Sequence, residues 1–406
     1  MTDKISNTDA RRLFLYLHGL SDLKDRERED HDLPKMINRM GFVQIDSIKT
    51  VERAHHHILF SRHRSYKREW LKKHLEDDRT LFENWTHDAS IIPMTFFPYW
   101  RARFDRAKEK ISRSKWWLKR IGSEPDKICS EVLNYVETNG PVRARDVRVA
   151  SDISNQKSES GSWWGWNPSK AALVFLWRTG QLAVAGRKNF QKVYDVTKNV
   201  VPKTILELEP TLEDFISWNC TTALERIGFG TESEIARFWN GISVGEARSW
   251  CQEKGRNSLK KIEIEDAEGN WRKVYARVDI TELATMLPDP PKRVRFLSPF
   301  DPLIRDRKRT QRLFGFDFKI EIFIPERKRE FGYYVCPILE GERFIGRIEL
   351  KSHRESSRLT VKGLWLESGI ILTKSLKKRI EDELNRWKNF MALNTVEWTS
   401  NFSHWR

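Results

Sequence analysis

Apolar positions recur at helical spacing in three stretches of this chain, and an alternating strand-like pattern follows each of them. The middle stretch is the most regular. Ile128, Val132, Leu133 and Val136 form one helix face, and Asn139-Gly140-Pro141 stops it. A short helix is expected to begin near Arg143. A further helix opens with Asn167 as N-cap and Pro168 at the first helical position, where a missing N–H costs nothing. Leu173, Leu176 and Trp177 give it an apolar face, and Gly180 is the expected C′ residue. A hairpin pattern comes next: Leu182 to Ala185, a turn at Gly186-Arg187-Lys188-Asn189, then Phe190 to Val196. Helices followed by a two-stranded ribbon make the winged-helix layout.

The third stretch, Thr211 to Val278, has apolar helical positions at Leu212, Phe215, Ile216, Ala223, Leu224 and Ile227. Thr231 to Glu234 and Ser243 to Glu246 have capping-box spacing, and a second wing is expected at Leu259–Ile264 and Trp271–Val278 around Glu268-Gly269-Asn270. The first stretch is less regular, with helices at Arg11 to Leu17 and Pro34 to Met40 and a strand-like run from Phe42 to Ile48. Past Pro288-Asp289-Pro290-Pro291 the pattern alternates. Strands are expected at Lys319–Ile324, Tyr333–Leu339, Phe344–Leu350 and Leu359–Leu366, with turns at Glu340-Gly341-Glu342 and Lys362-Gly363 and a helix near Leu372–Phe390. The predicted fold is α+β: winged-helix units at 1–120, 121–205 and 206–287, then a small antiparallel sheet or β-barrel with a terminal helix at 288–406.

Charge adds a partner to this picture. The 406 residues carry 73 Lys plus Arg against 57 Asp plus Glu, a net +16, which favours an anionic partner. The excess is clustered: Arg101 to Arg120 holds nine Lys or Arg and two acids, with Trp116 and Trp117 interleaved, and Arg305 to Arg312 holds five basic residues. Phosphate contacts are expected from Arg143, Arg145, Arg148 and Lys170 and from the wing residues Arg187, Lys188 and Lys192. Trp163, Trp164 and Trp166 are candidates for base stacking. No apolar run of membrane-spanning length occurs, the N-terminus lacks a secretory pattern, and Cys129, Cys220, Cys251 and Cys336 are too far apart for a CxxC site. A monomeric cytoplasmic protein with reduced thiols is expected, and no cofactor is implied: a GxxxxGK phosphate loop and iron–sulfur spacing are both missing.

The segment Gly41-Phe42-Val43-Gln44-Ile45-Asp46-Ser47-Ile48 is the most informative for chemistry. On a strand Val43 and Ile45 face the core while Gln44 and Asp46 share the other face, roughly 6.5 Å apart, within reach of one water or one sugar. A carboxylate there stabilises positive charge or activates water, and an amide holds the same water. His55 and His57 would share a face of an extended segment, but a metal would need a third ligand from His31, His63 or His87, and none is predicted. Arg53, His55, His57 and Arg62 are instead expected to contact DNA.

The QID triplet after the GF turn, the following VERAHHHILFSRHRSY, the block ENWTHDASIIP and the stretch SPFDPLIRDRKRTQRLFGFDFKIEIFIPERKREFGYYVCPIL resemble the AlkZ/YcaQ family of winged-helix DNA glycosylases over nearly the whole chain. The resemblance implies a C-shaped basic channel, excision of N7-alkylated guanine, unhooking of interstrand crosslinks in duplex DNA, and hydrolysis without a lysine Schiff base. The family's active motif, a Gln, an apolar residue, then Gln or Asp, falls on Gln44, Ile45 and Asp46, the QxD form. The competing reading is a non-catalytic winged-helix regulator, which ordinarily reads half-sites as a dimer.

Overall fold

In the computed structural model, which describes residues 3–21, 29–122, 124–147, 149, 167–254 and 258–399, helices and strands mix in an α+β fold. The candidates Arg148, Trp163, Trp164 and Trp166 lie outside the described residues. The chain gathers into two units. One comprises Met1–Tyr66, Thr221–Phe238 and Val244–Arg406, the other Lys67–Cys220 and Trp239–Ser243.

In the first unit, Ser6 caps helix Asn7–Leu17 by accepting from the Asp9 amide, a bond typically worth about 1 kcal/mol. That helix buries Ala10, Leu13, Phe14 and Leu15 in a core shared with Ile262, Ile264, Val274, Leu313, Phe316 and Leu339. Helix Leu33–Met40 ends at Gly41, whose φ of 89° only glycine adopts without strain, and the chain turns into strand Val43–Gln44. The predicted strand therefore stops four residues early. Strands Leu259–Glu265 and Trp271–Arg277 form the second predicted hairpin, with its turn at Gly269. Lys4–Ile5 adds in parallel along one edge and Phe229–Gly230 pairs on the other. The Thr231 amide donates to the Glu234 carboxylate at 2.9 Å and the Glu234 amide to the Thr231 hydroxyl at 3.4 Å, the capping box read from spacing.

A five-stranded sheet follows in the order Val294–Phe296, Val335–Glu340, Arg343–His353, Arg358–Leu366, Thr395–Trp398, antiparallel except for the last pair. Helix Lys374–Phe390 buries Leu376, Ile380, Leu384 and Trp387. Two expectations fail here. Lys319–Ile324 is not a strand, because Glu321 turns inward to accept the amides of Glu330, Phe331 and Gly332. Lys362-Gly363 is not a hairpin turn either: Glu349 pairs Gly363 and Leu350 pairs Val361, leaving Lys362 as the extra residue of a bulge.

The second unit contains an antiparallel pair, Leu81–Trp85 and Ala89–Pro93, helices Phe97–Ser112, Lys115–Ile121, Pro125–Asn139 and Pro168–Arg178, and a sheet in the order Val142–Arg143, Gln191–Val196, Leu182–Lys188. Asn167 Oδ1 accepts from the Lys170 amide at 2.8 Å, so the predicted cap forms, and Gly180 follows that helix at φ 80°. Ile128, Val132, Val136, Leu173, Leu176, Trp177, Leu182 and Tyr194 make one core. The chain is a short strand at Arg143, not the start of a helix, and the hairpin turns at Asn189 and Phe190, with φ of 49° and 67°. Both φ values are positive, as a tight hairpin turn requires, so Arg187 and Lys188 belong to the strand and not to the tip.

Candidate active site and nucleic-acid interface

Gln44 is buried on its short strand, and Asp46 is half-buried just past it. Asp46 Oδ1 accepts from the Ile48 amide at 2.7 Å. This side-chain turn competes with a sheet ladder and ends the strand, so Gln44 and Asp46 are not on one face of a regular strand. The segment beyond is clamped by strand Arg343–His353 and the residues after it. The Ser352 amide donates to the Thr50 carbonyl at 2.8 Å, and the Arg354 guanidinium donates to the Val51 carbonyl at 2.8 Å. Tyr334 is fully buried. Burial drives its phenol well above the ordinary range, and the negative charges of Asp46 and Glu52 add to that.

Residues 54–62 form helix Ala54–Arg62, not an extended segment, with Arg53 at its N-cap. On a helix His55 and His57 point to different faces, which removes the basis for a shared ligand pair. His57 is fully buried against Trp387, ring centroids 4.3 Å apart, and its Nε2 lies 3.0 Å from the Phe296 carbonyl. Burial lowers its pKa to about 4, so it is a neutral core residue and not a DNA contact. Arg62 is likewise internal. Its guanidinium makes a two-point pair with Asp301 at 2.7 and 2.8 Å, donates to the His18 carbonyl at 2.7 Å, and neither charged side chain touches solvent. Both expectations are corrected: the His57 ring and the Arg62 guanidinium are enclosed in the core. His55 is buried, its ring 4.3 Å from that of His56, whose Nδ1 meets the Tyr66 hydroxyl at 2.7 Å. Arg53 is half-buried. Among the described residues, no group of three or more His, Cys, Asp or Glu is placed to hold a metal ion.

Arg305 donates to the Phe238 carbonyl, Arg309 to the carbonyls of Ile227 and Phe229, and Arg312 to Glu234, so most of the Arg305–Arg312 charge is spent inside the first unit. In the second unit Arg103 reaches the Trp239 and Thr86 carbonyls and Arg106 the Gly241 carbonyl, while Lys108, Lys110, Lys115 and Lys119 face water. Arg187 is held at two points by Glu83, both 2.7 Å, and donates to the Phe190 carbonyl, which corrects its expected role as an open wing cation. Lys188 is exposed. Arg143 pairs with Asp146 at 2.6 Å. Arg145, Lys170 and Lys192 come together with Asn167, Gln191 and Tyr194 around a cleft of about 450 Å³. The Lys192 ammonium sits 3.3 Å from the centre of the Trp177 ring, and loss of water there lowers its pKa to about 7.

The AlkZ-like DNA glycosylase family model matches residues 37–390. The chain belongs to this family. It is a DNA glycosylase, and its substrate is DNA. The solved Streptomyces sahachiroi DNA glycosylase AlkZ shares its fold at a TM-score of 0.66 and 16% identity, over 97% of this chain and 99% of that one. Among the described residues no helix of this glycosylase is long and apolar enough to cross a membrane.

Sequence reading missed Glu52 and Tyr334. Glu52 is a buried carboxylate whose Oε1 accepts from the Arg53 amide at 2.9 Å, and whose Oε2 lies 3.8 Å from the Arg354 guanidinium. Both residues fall inside blocks that resemble the family, but no spacing rule joins them. They are separated in sequence and come together through the clamp on the Asp46 segment.

Proposed function

We propose that this glycosylase is monofunctional, excises N7-alkylated guanine and unhooks interstrand crosslinks in duplex DNA, with Gln44 and Asp46 as its catalytic residues. The observation that carries the reading is the half-buried Asp46 carboxylate, beside buried Gln44, on a segment clamped from strand Arg343–His353. An N7-alkylguanine is already cationic and departs as a neutral base, so the enzyme needs no strong acid. Positive charge builds at C1′ of the sugar. Asp46 stabilises it and takes a proton from the attacking water, while the Gln44 amide holds that water. No amine attacks the sugar, so the strand is left intact at an abasic site. A crosslinked base cannot leave the stack freely, which favours three winged-helix units that bind the lesion in an open basic channel over a tight flipping pocket. Arg53, His55, Arg143, Arg145, Lys170, Lys188 and Lys192 remain the proposed DNA contacts, in a monomer of the bacterial cytoplasm.

Duplex DNA carrying 7-methylguanine or a nitrogen-mustard crosslink tests this directly through alkali-labile sites. In single turnover Asp46→Asn should fold and bind DNA normally yet lose about 10²–10³ in excision rate. Gln44→Ala should lose less, and Asp46→Gln should keep partial activity with a changed substrate preference. Full activity in Asp46→Asn would sink the role of the negative charge.

A further inference from the structure

Helix Phe97–Ser112 carries Arg103, Arg106 and Lys110 at spacings of three and four, which puts the three cations on one face. Its two acids, Asp105 and Glu109, fall off that face, and Glu109 pairs with Arg113 at 2.9 Å. The cationic face and Arg178, the last residue of helix Pro168–Arg178, line a pocket of about 180 Å³ together with Trp85 and Gly241. Every lining residue belongs to the second unit. Four cations line this pocket, and among the described residues no Asp or Glu does.

Backbone carbonyls satisfy part of that charge. Arg103 donates to the carbonyls of Trp239, Trp85 and Thr86 at 2.6, 3.2 and 3.1 Å, and Arg106 to that of Gly241 at 2.9 Å. A side chain at Gly241 would come within 2.8 Å of the Arg103 guanidinium, so a glycine there leaves room for it. Arg178 is different. Its guanidinium lies over the Trp85 ring, 4.3 Å from the centre. Its Nε is buried without a hydrogen-bond partner, and no carboxylate among the described residues is within ion-pair reach of it. Burial first, and then the like charges of Arg178 and Arg106, lower the Arg103 guanidinium to about 10. Burial also lowers Arg178, and Asp88 opposes this from outside the lining, its Oδ1 accepting from the Ala89 amide at 2.7 Å. Cations gathered in this way destabilise one another until an anion enters.

Size and shape set the class of anion. A pocket of about 180 Å³ is below the roughly 300–1,000 Å³ that encloses a drug-sized ligand, so it takes one small group and not a whole nucleotide. A carboxylate offers two oxygens in one plane. Guanidiniums and an ammonium that come from two helices suit a tetrahedral group with oxygens on every side.

We propose that this pocket is a phosphate site, in which Arg178, Arg106 and Lys110 hold one phosphate group and Arg103 adds its charge. The phosphate comes from a DNA strand or is free orthophosphate. The site lies beyond the catalytic reading, because Gln44 and Asp46 belong to the other unit.

The test follows the melting midpoint of the full chain in sodium phosphate against sodium chloride of matched ionic strength. The general salting-out effect of phosphate is common to parent and variants, so the difference between them is the readout. Binding should multiply the folding constant of the parent by 1 + [phosphate]/Kd. Arg178→Met keeps a stem against Trp85 without the charge. It should melt no lower than the parent in chloride, and should need about tenfold more phosphate for the same rise. Lys110 is exposed, so Lys110→Met should fold as the parent does and respond less to phosphate, which keeps the test decisive if Arg178→Met folds poorly. Lys108, also exposed on that helix, does not line the pocket, and Lys108→Met should respond as the parent does. Equal phosphate responses in all four proteins overturn the site. An equal loss in Lys108→Met and Lys110→Met also overturns it, in favour of diffuse charge.

Undamaged duplex separates the two sources. If a strand phosphate fills the pocket, Arg178→Met should bind duplex about tenfold more weakly at fixed salt, and orthophosphate should displace duplex from the parent better than chloride does. Equal duplex affinity, with the phosphate response still lost, assigns the pocket to free orthophosphate. Asp46→Asn should keep the phosphate response while excision stops, so a failure of either reading leaves the other to stand on its own measurement.

Discussion

The segment from Gln44 to Arg62 and the hairpin from Leu182 to Val196 look alike in the sequence, each a short run of polar and basic side chains next to apolar ones. They part ways once folded. In the first, Arg62 is wholly enclosed with Asp301, the Asp46 carboxylate is half-buried, and Lys49 is exposed. In the second, Arg187 is drawn in by Glu83 and Lys192 sits half-buried over the Trp177 ring, and the outward group is a lysine, Lys188. The difference teaches how this chain spends its +16. In these two regions the guanidiniums of Arg62 and Arg187, with five donors in a planar fork, satisfy inner carboxylates and carbonyls, whereas the exposed cations, Lys49 and Lys188, are lysines. The first region encloses its ion pair completely, while the second leaves its pair partly open to water.

The largest effect should come from unpairing the enclosed charges. Asp301→Ala leaves the Arg62 guanidinium buried without its counter-ion and also removes the acceptor of the Leu303 amide, 2.9 Å away. Its denaturant midpoint should fall by the equivalent of about 3–5 kcal/mol. The double variant Arg62→Met, Asp301→Leu, which removes both charges, should recover much of that loss. DNA affinity of the folded fraction should not change in either case. If it fell in parallel with folding corrected for, Arg62 would belong with the DNA contacts after all.

Arg187→Ala should cost less. Glu83 is buried and would lose both its bonds, but the partner is partly solvated, so about 1–3 kcal/mol is expected from equilibrium unfolding. The contrast with the neighbouring residue sharpens the comparison. Lys188→Ala should leave stability alone and lower the salt slope of DNA binding by about 0.9 for its one phosphate. A salt-slope change in Arg187→Ala equal to that of Lys188→Ala would contradict the inward role of Arg187.

Local rules made much of this legible. The Asn167 cap, the Thr231–Glu234 box, the Gly269 turn and the helix faces around Val132 and Leu176 all follow from residues within a few positions of one another. Sites of long reach were not legible. Arg62 and Asp301 are 239 residues apart, and nothing in either neighbourhood announces the other, so the arginine reads as a surface cation. Lys4–Ile5 pairs with a strand more than 250 positions on, for the same reason unseen. Alternation misled twice, at Asp46 and at Glu321. In both places a carboxylate bonds nearby backbone amides and bends the chain away from a ladder that its apolar neighbours would permit. The motif at Gln44 and Asp46 was visible as residue types. Its geometry was not, because the clamp on it comes from Ser352 and Arg354.

The smallest expected effect concerns protons on Lys192. Loss of water lowers its pKa to about 7, from an ordinary value of 10.5; Glu83 and Asp88 pull it back up, and Arg187 and Arg178 push it further down. Because the folded value is the lower one, the unfolded chain binds more protons between these two values. Stability should therefore rise as pH goes from about 7 to 10.5 and be lowest, in this respect, below 7. DNA binding should run the other way. A phosphate in the cleft with Arg145 and Lys170 favours the ammonium form, so binding takes up a proton and weakens as pH climbs above 7, by no more than about tenfold per unit. Lys192→Met keeps a stem over the Trp177 ring but has no charge to gain, and its affinity should be weaker at pH 7 and flatter with pH. Titrating binding of undamaged duplex from pH 6.5 to 8.5 at fixed salt reads this out. Parallel pH profiles for the parent and Lys192→Met would exclude Lys192 from the phosphate contacts and leave the outward charge of the hairpin to Lys188.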